Sequence, residues 1–344
     1  MRAAVPLLAT CVLLAATTAR RRTDSPLDHL PPNVEVLTHF GERADISPDN
    51  RRVAFMAKSF GDAFVIDLET RAIRCLTCNV PGASFLRVMH LPSADFLLIG
   101  PERFEELGRS RSRDNELWFL SRKPGSRPVK LGRKMIEGAA ISKRRGKIAF
   151  AVGHEQDESI PEGQRRIVVA ELDPSAETPA LSAERVVFTT DGPGCHPEAQ
   201  DFFDDDRRLT YSCYEPEGRA SAWTIDLATG ARVNQSAAIG FYNEVEGIFP
   251  DGRDVCVESD HQSRPFGDPP SFRNIDIWKL RLDGTGHDFT RLTTFNDHEG
   301  WKASNPVVST DGRFMAFQAA RTADEAGVGY GLLLLHFDRA ATAP

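Results

Sequence analysis

The chain has 344 residues, 41% of them hydrophobic and 26% charged, the balance of an ordinary globular protein and not of a disordered or fibrous one. A net charge of -7 and a pI near 5.8, with arginines scattered along the sequence, exclude the basic footprint that nucleic-acid binding requires. The N-terminal apolar run, Ala3 to Ala16, is shorter than the roughly 20 residues that cross a bilayer, so no membrane span is expected in the mature chain.

That run follows Met1-Arg2 and ends in the small residues Ala16-Thr17-Thr18-Ala19, the pattern of a signal peptide over residues 1–19 cut after Ala19. The mature protein is therefore expected to be secreted or periplasmic. Cys11, after Leu8-Ala9-Thr10, loosely resembles a lipoprotein signal but sits inside the apolar run, which favours export without lipidation. Residues 20–32, with Arg20-Arg21-Arg22 and Pro31-Pro32, form a polar leader not expected to fold by itself. Cys75, Cys78, Cys195, Cys213 and Cys256 remain, an odd number in an oxidising compartment. Cys75-Leu76-Thr77-Cys78 lacks the second such pair that a zinc site needs, so a local disulfide is expected there. A hairpin around Asp204 to Arg207 would return Cys213 beside Cys195 and bridge them, leaving Cys256 as a buried thiol. Asn234-Gln235-Ser236 fits the glycosylation pattern, a triplet common by chance.

From residue 33 onward the chain repeats itself. Val34 to Phe40 alternates apolar and polar residues as a half-exposed strand does. Ser47-Pro48-Asp49-Asn50-Arg51-Arg52-Val53-Ala54-Phe55 then reads as a tight turn leading into a strand. The same device returns at Leu91 to Leu98, Ser142 to Phe150, Asp204 to Tyr211, Pro250 to Arg253 and, most faithfully, Ser309-Thr310-Asp311-Gly312-Arg313-Phe314-Met315-Ala316-Phe317. The copies lie roughly 44 to 63 residues apart, and internal repetition outranks other sequence signals.

Each turn is followed by a third strand, such as Ala63 to Leu68 or Ala222 to Leu227, and all but the last by a fourth, such as Ile73 to Thr77. The last repeat lacks its fourth strand, while Val36 to Phe40 at the other end matches Arg291 to Phe295 in pattern. One strand missing at one end and one surplus at the other are not explained by an open β-sandwich. The expected fold is all-β: a six-bladed β-propeller over residues 33–340, closed by an N-terminal strand completing the last blade.

The Ser-Pro-Asp-Asn-Arg and Ser-Thr-Asp-Gly-Arg turns, each before a Val-Ala-Phe or Met-Ala-Phe strand, resemble those of the TolB-like, WD40-like propeller repeat family. The resemblance covers about residues 33 to 340. It implies the propeller fold and says little about activity. The Trp-Asp dipeptide of true WD40 repeats is absent.

In such a blade the long second-to-third loops share one face with the entry to the first strand. Here they run over Pro101 to Asn115, His154 to Gln164 and Asp260 to Asn274, and long loops in a compact domain are more often functional than idle. Aligned on the turns, the first strands carry Glu42, Glu137, Glu198 and Glu244 at one register, with Leu86 and Ser304 in the other two repeats. Like charges crowded around an axis raise one another's pKa or recruit a cation. Near that register lie His196 and Gln200, then Asn243 and Glu246, then Lys302 and Asn305, while His154, Asp260 and His261 follow second strands.

Two functions fit this expected mouth. One is a binding module taking a polar ligand, glycan or protein, at the loop-rich face through Glu42, Glu137, Gln200, Asn243, Glu244, Glu246, Asp260 and Asn305. The other is an enzyme acting on carbohydrate, a glycoside hydrolase or a polysaccharide lyase. Oligogalacturonate lyases are also propellers with a metal at the mouth, and that likeness implies a divalent ion on His154, His196 and His261. Lys302 or His196 would then abstract a proton, with Glu198 as a further catalytic candidate. No Gly-x-Ser-x-Gly turn marks a serine hydrolase.

Overall fold

A computed structural model describes residues 19–176, 178–237, 241–324 and 327–339. The signal-peptide reading, apart from Ala19, lies outside the described residues.

The strands pair into separate four-stranded antiparallel sheets arranged as blades. β1 (Val34–Val36) is first in the chain but belongs to the last blade. Blade one holds β2 (Glu42–Ile46), β3 (Arg52–Met56), β4 (Ala63–Asp67) and β5 (Ile73–Cys75). Blade two holds β6 (Arg87–His90), β7 (Phe96–Gly100), β8 (Glu116–Leu120) and β9 (Val129–Lys134). Blade three holds β10 (Ala139–Ile141), β11 (Lys147–Gly153), β12 (Arg165–Leu172) and β13 (Leu181–Thr189). Blade four holds β14 (His196–Phe203), β15 (Arg208–Glu215), β16 (Arg219–Asp226) and β17 (Arg232–Asn234). Blade five holds β18 (Asn243–Ile248), β19 (Asp254–Ser259), β20 (Asp276–Arg281) and β21 (Phe289–Arg291). Blade six holds β22 (Trp301–Val308), β23 (Phe314–Arg321) and β24 (Leu332–His336), and β1 pairs with β24 through Val34 and Leu335, Glu35 and Leu334, and Val36 and Leu333. This is the six-bladed propeller, closed by its N-terminal strand, that the repeats predict.

Side-chain chemistry explains the repeated turn. Ser47 Oγ donates to Asp49 Oδ1 at 2.6 Å and accepts from the backbone N–H of Arg52 at 2.9 Å. Ser309 repeats this with Asp311 at 2.7 Å and Phe314 at 3.1 Å. The following Asn50 and Gly312 take the left-handed φ of 58° and 70° that closes the turn, a conformation those residues tolerate best. The two turns also touch, Thr310 N–H donating to Asn50 Oδ1 at 2.9 Å. Beneath them Ile46, Val53, Phe55 and Ile66 pack against Phe314, Ala316, Leu332 and Leu334, so a buried apolar seam joins first and last blades.

The leader, not expected to fold alone, is docked on the propeller. Arg21 donates to Asn296 O at 2.7 Å and to Asp268 Oδ2 at 2.5 Å, with its guanidinium 4.2 Å from the centroid of Phe266. Leu27 and Leu30 add to the core of blade six. Both expected disulfides are present, Cys75–Cys78 and Cys195–Cys213, with Cα separations of 5.8 and 5.1 Å, and Cys256 is a buried thiol.

Candidate functional site: the axial pocket

The inner strands surround an axial cavity of about 400 Å3 at the loop-rich end. Their middle register is bulged: pairing slips between Glu42 and Asp45, Ala199 and Asp201, Val245 and Ile248, and Ser304 and Val307. A bulge re-aims the residues beside it, and here it brings Glu42, Glu198, Glu244 and Ser304 to the cavity wall.

The wall divides into two sectors. In blades one to three, cations and carboxylates are matched. Glu137 accepts from Arg111 Nη2 at 2.6 Å and Nε at 2.5 Å, and Arg43 Nη2 lies 2.9 Å from it. Against the cost of burial, Arg111 and Arg43 pull Glu137 down to about 2. Arg111 comes from the long loop after β7, so one of the expected functional loops does reach the pocket. Arg87 Nη2 meets Glu198 Oε1 at 3.3 Å.

In blades four to six the carboxylates outnumber the cations. Tyr214 OH bridges Glu198, at 2.8 Å, and Glu244, with its one proton for one of them, and Tyr242 OH donates to the other oxygen of Glu244. Asn305 gives Glu246 its side-chain amide at 3.2 Å and Glu258 its backbone N–H at 2.6 Å. Among the described residues no lysine, arginine or histidine lies within 4.0 Å of Glu244, Glu246 or Glu258. Burial and the charge of Glu244 push Glu258 up to about 8 and Glu246 well above the ordinary range. Burial likewise lifts Glu198 to about 7, with Glu137 and Glu244 adding to the rise and Arg87 opposing it. Lys302 is tethered to Phe272 O at 3.2 Å, and burial lowers its pKa.

No family model matches the chain, and no curated protein matches it in sequence. Solved structures match its fold. TolB from Agrobacterium tumefaciens is 16% identical with a TM-score of 0.53, over 76% of this chain and 78% of that one. TolB from Acinetobacter baumannii is 13% identical with a TM-score of 0.50, over 88% of this chain and 65% of that one. Regucalcin from Agrobacterium tumefaciens, described as a calcium-binding protein, is 11% identical with a TM-score of 0.52, over 87% and 92%. In fold, the chain is a TolB-like six-bladed β-propeller. At these identities the likeness extends to the fold alone, and the chemistry has to be argued from this propeller's own residues.

Of the residues singled out in the sequence, the propeller gathers Glu42, Glu137, Glu198, Glu244, Lys302 and Asn305 around the pocket. Gln200 and Glu246 line a narrower cavity of about 40 Å3 that continues from it, sharing Arg43, Arg87 and Asn305. Asn243 and Asp260 line neither cavity. Asn243 is fully buried and accepts from Ser259 Oγ at 3.0 Å, and Asp260 accepts the backbone N–H of Tyr242 at 3.1 Å and of Ser271 at 2.8 Å, pinning the loop after β19.

The histidine metal set is not assembled. His154 turns Nδ1 to Ile160 O at 2.8 Å, and His196 is exposed at the start of β14. His261 sits among Phe241, Trp278 and Phe289, where burial and Arg264 lower it to about 4. The one group of three potential ligands found close together among the described residues is Asp62, Cys75 and Cys78, and its cysteines are spent on a disulfide. The pattern of offsets after second strands misled because loop direction, not loop position, aims a side chain. His196 also lines no part of the axial cavity, so it does not share a reaction centre with Lys302 and Glu198.

Sequence reasoning missed Glu258, Tyr214 and Tyr242 as site residues, and left Arg43, Arg87 and Arg111 without a role. Glu258 lies opposite Glu244 on the neighbouring strand, so carrying the register across the hairpin would have found it.

Proposed function

We propose that this propeller is an exported binding module whose axial pocket receives a basic side chain of a protein partner. The observation that carries the reading is Glu244 and Glu258 on the pocket wall, with Glu246 in the narrower cavity that continues from it, three buried carboxylates with no cation within 4.0 Å among the described residues. Burial and crowding raise the carboxyls of Glu246 and Glu258, and a compact cation entering the pocket supplies the charge partner they lack. An ammonium or guanidinium group has the size and the donors to do so, and the tyrosine hydroxyls beside Glu244 hold the carboxylate in place. The two disulfides and the N-terminal apolar run support an oxidising compartment. No helix among the described residues is long and apolar enough to cross a membrane.

The test is fluorescence anisotropy with a labelled lysine-rich peptide, its acetylated form and a neutral oligosaccharide. Saturable binding of the first, weakened at least ~10-fold by acetylation, is the expected result, since acetylation removes the charge. Equal binding of both peptides, or binding of the oligosaccharide alone, would overturn the reading.

A further inference from the structure

A separate cavity of about 340 Å3 opens between blades one and two, on the face of the hairpin turns, and its wall includes Arg52, Arg74, Arg122, His90 and Phe96. These residues come from different segments: Arg52 begins β3, Arg74 lies in β5, His90 ends β6 and Arg122 follows β8. Among the described residues Arg74 and Arg122 have no carboxylate within 4.0 Å, and Arg52 reaches only Asp49 at 3.8 Å. The acids nearby are occupied by their own turns. Asp95 accepts from Ser93 Oγ at 2.7 Å and Arg122 N–H at 2.8 Å, and Asp49 accepts from Ser47 Oγ at 2.6 Å.

The second observation is His90 itself, only 2% exposed. Its Nδ1 lies 2.9 Å from Asp45 Oδ2, and its backbone N–H donates to the same oxygen at 2.7 Å. The other Asp45 oxygen takes Lys143 Nζ at 2.6 Å. The imidazole is thus locked in orientation, yet its Nε2 is buried with no hydrogen-bond partner among the described residues. A buried polar atom left unpaired is costly and calls for a partner. Asp45 and Lys143 thus fix one edge of the ring and leave the Nε2 edge without a partner.

We propose that this groove is a second ligand site, for an oxyanion of the phosphate-ester type carried on a small apolar body. The guanidinium groups of Arg74 and Arg122 take the oxyanion oxygens, as such planar donors do for phosphate, and the His90 ring lies at the inner wall. Phe96, Ala94 and Pro124 supply the apolar contact. The site is independent of the axial pocket and does not rest on the proposed function.

The experiment is titration of the full mature protein with phenyl phosphate, at fixed ionic strength so that general screening is constant. Wild type is expected to saturate, with the His90 ring resonances shifting on 15N-detected imidazole spectra. The double variant Arg74→Gln, Arg122→Gln is expected to bind at least ~10-fold more weakly with an unchanged melting temperature, because neither side chain holds a structural partner. Affinity unaltered by that double variant, no saturable binding to wild type, or an unmoved His90 resonance in the bound state would each overturn the proposal.

Discussion

The backbone N–H of Asn305, on the inner strand of blade six, donates to Glu258 Oε1 on the second strand of blade five at 2.6 Å. The same latch recurs twice around the ring. Arg43 N–H donates to Gln318 Oε1 at 2.6 Å, and Val245 N–H donates to Ser212 Oγ at 2.8 Å. In each case the donor sits at the bulged register, and the acceptor lies opposite the residue just before the equivalent register in the previous blade. Arg43 and Asn305 have φ of 53° and 48°, so the latch holds a backbone conformation that these residues adopt at some cost.

Gln318→Leu removes the acceptor and leaves the Arg43 N–H buried without a partner, which costs about 1–3 kcal/mol. Chemical denaturation should show that loss with an unchanged m-value. An unaltered midpoint would mean that the latch between blades six and one is dispensable.

Gly138 has φ of 86°, and a Cβ placed there would overlap Glu198 Cγ and Oε1. Gly138→Ala should therefore displace the Glu198 carboxylate from Arg87 and lower stability by about 1–3 kcal/mol through backbone strain. Lysine-peptide affinity should fall with it. Comparing this variant with Gly125→Ala, a left-handed glycine with open space around it, separates the clash from the strain.

Stability should fall between pH 5.5 and 8.5. Burial raises Glu198 and Asp201 to about 7 and Glu258 to about 8. A carboxyl raised in the folded state contributes stability that is fully present below its unfolded value and is lost as pH rises through the folded one. Glu137 acts oppositely, its contribution being lost as pH falls toward about 2. Glu258→Gln keeps an oxygen for the Asn305 N–H and removes one titration, so its melting temperature should vary less over the alkaline limb. A wild-type profile that rises from pH 5.5 to 8.5 would contradict the protonation states assigned to this wall.

The blades and their closure were legible in the sequence because hairpin turns use local chemistry: Ser47 with Asp49 and Ser309 with Asp311 are separated by two residues. The carboxylate register was legible for the same reason, being a fixed offset from those turns. What was not legible depends on contacts across the ring. Arg111 reaches Glu137 from a loop 26 residues earlier, Tyr214 joins Glu198 to Glu244, and His261 turns into an aromatic cluster although its sequence neighbours are polar. The leader gave no hint of docking because Arg21 finds its partners some 250 residues away, at Asp268 and Asn296.

Removal of residues 20–36 should destabilise the whole propeller. The deletion exposes the β24 edge and takes away the Arg21 contacts together with Leu27 and Leu30. A single cooperative melt lowered by more than ~5 °C is expected. Unchanged melting would show that the ring closes without its N-terminal strand.

The most direct test of the cation-binding wall is the proton count on ligand binding. Calorimetric titration with tetralysine at pH 7.5, in HEPES and in Tris, should give different apparent enthalpies, because Glu246 and Glu258 release protons as the ammonium enters. The Glu244→Gln, Glu246→Gln, Glu258→Gln variant should lose both the buffer dependence and at least ~10-fold in affinity. Equal enthalpies in the two buffers, with affinity unchanged in the triple variant, would contradict the account.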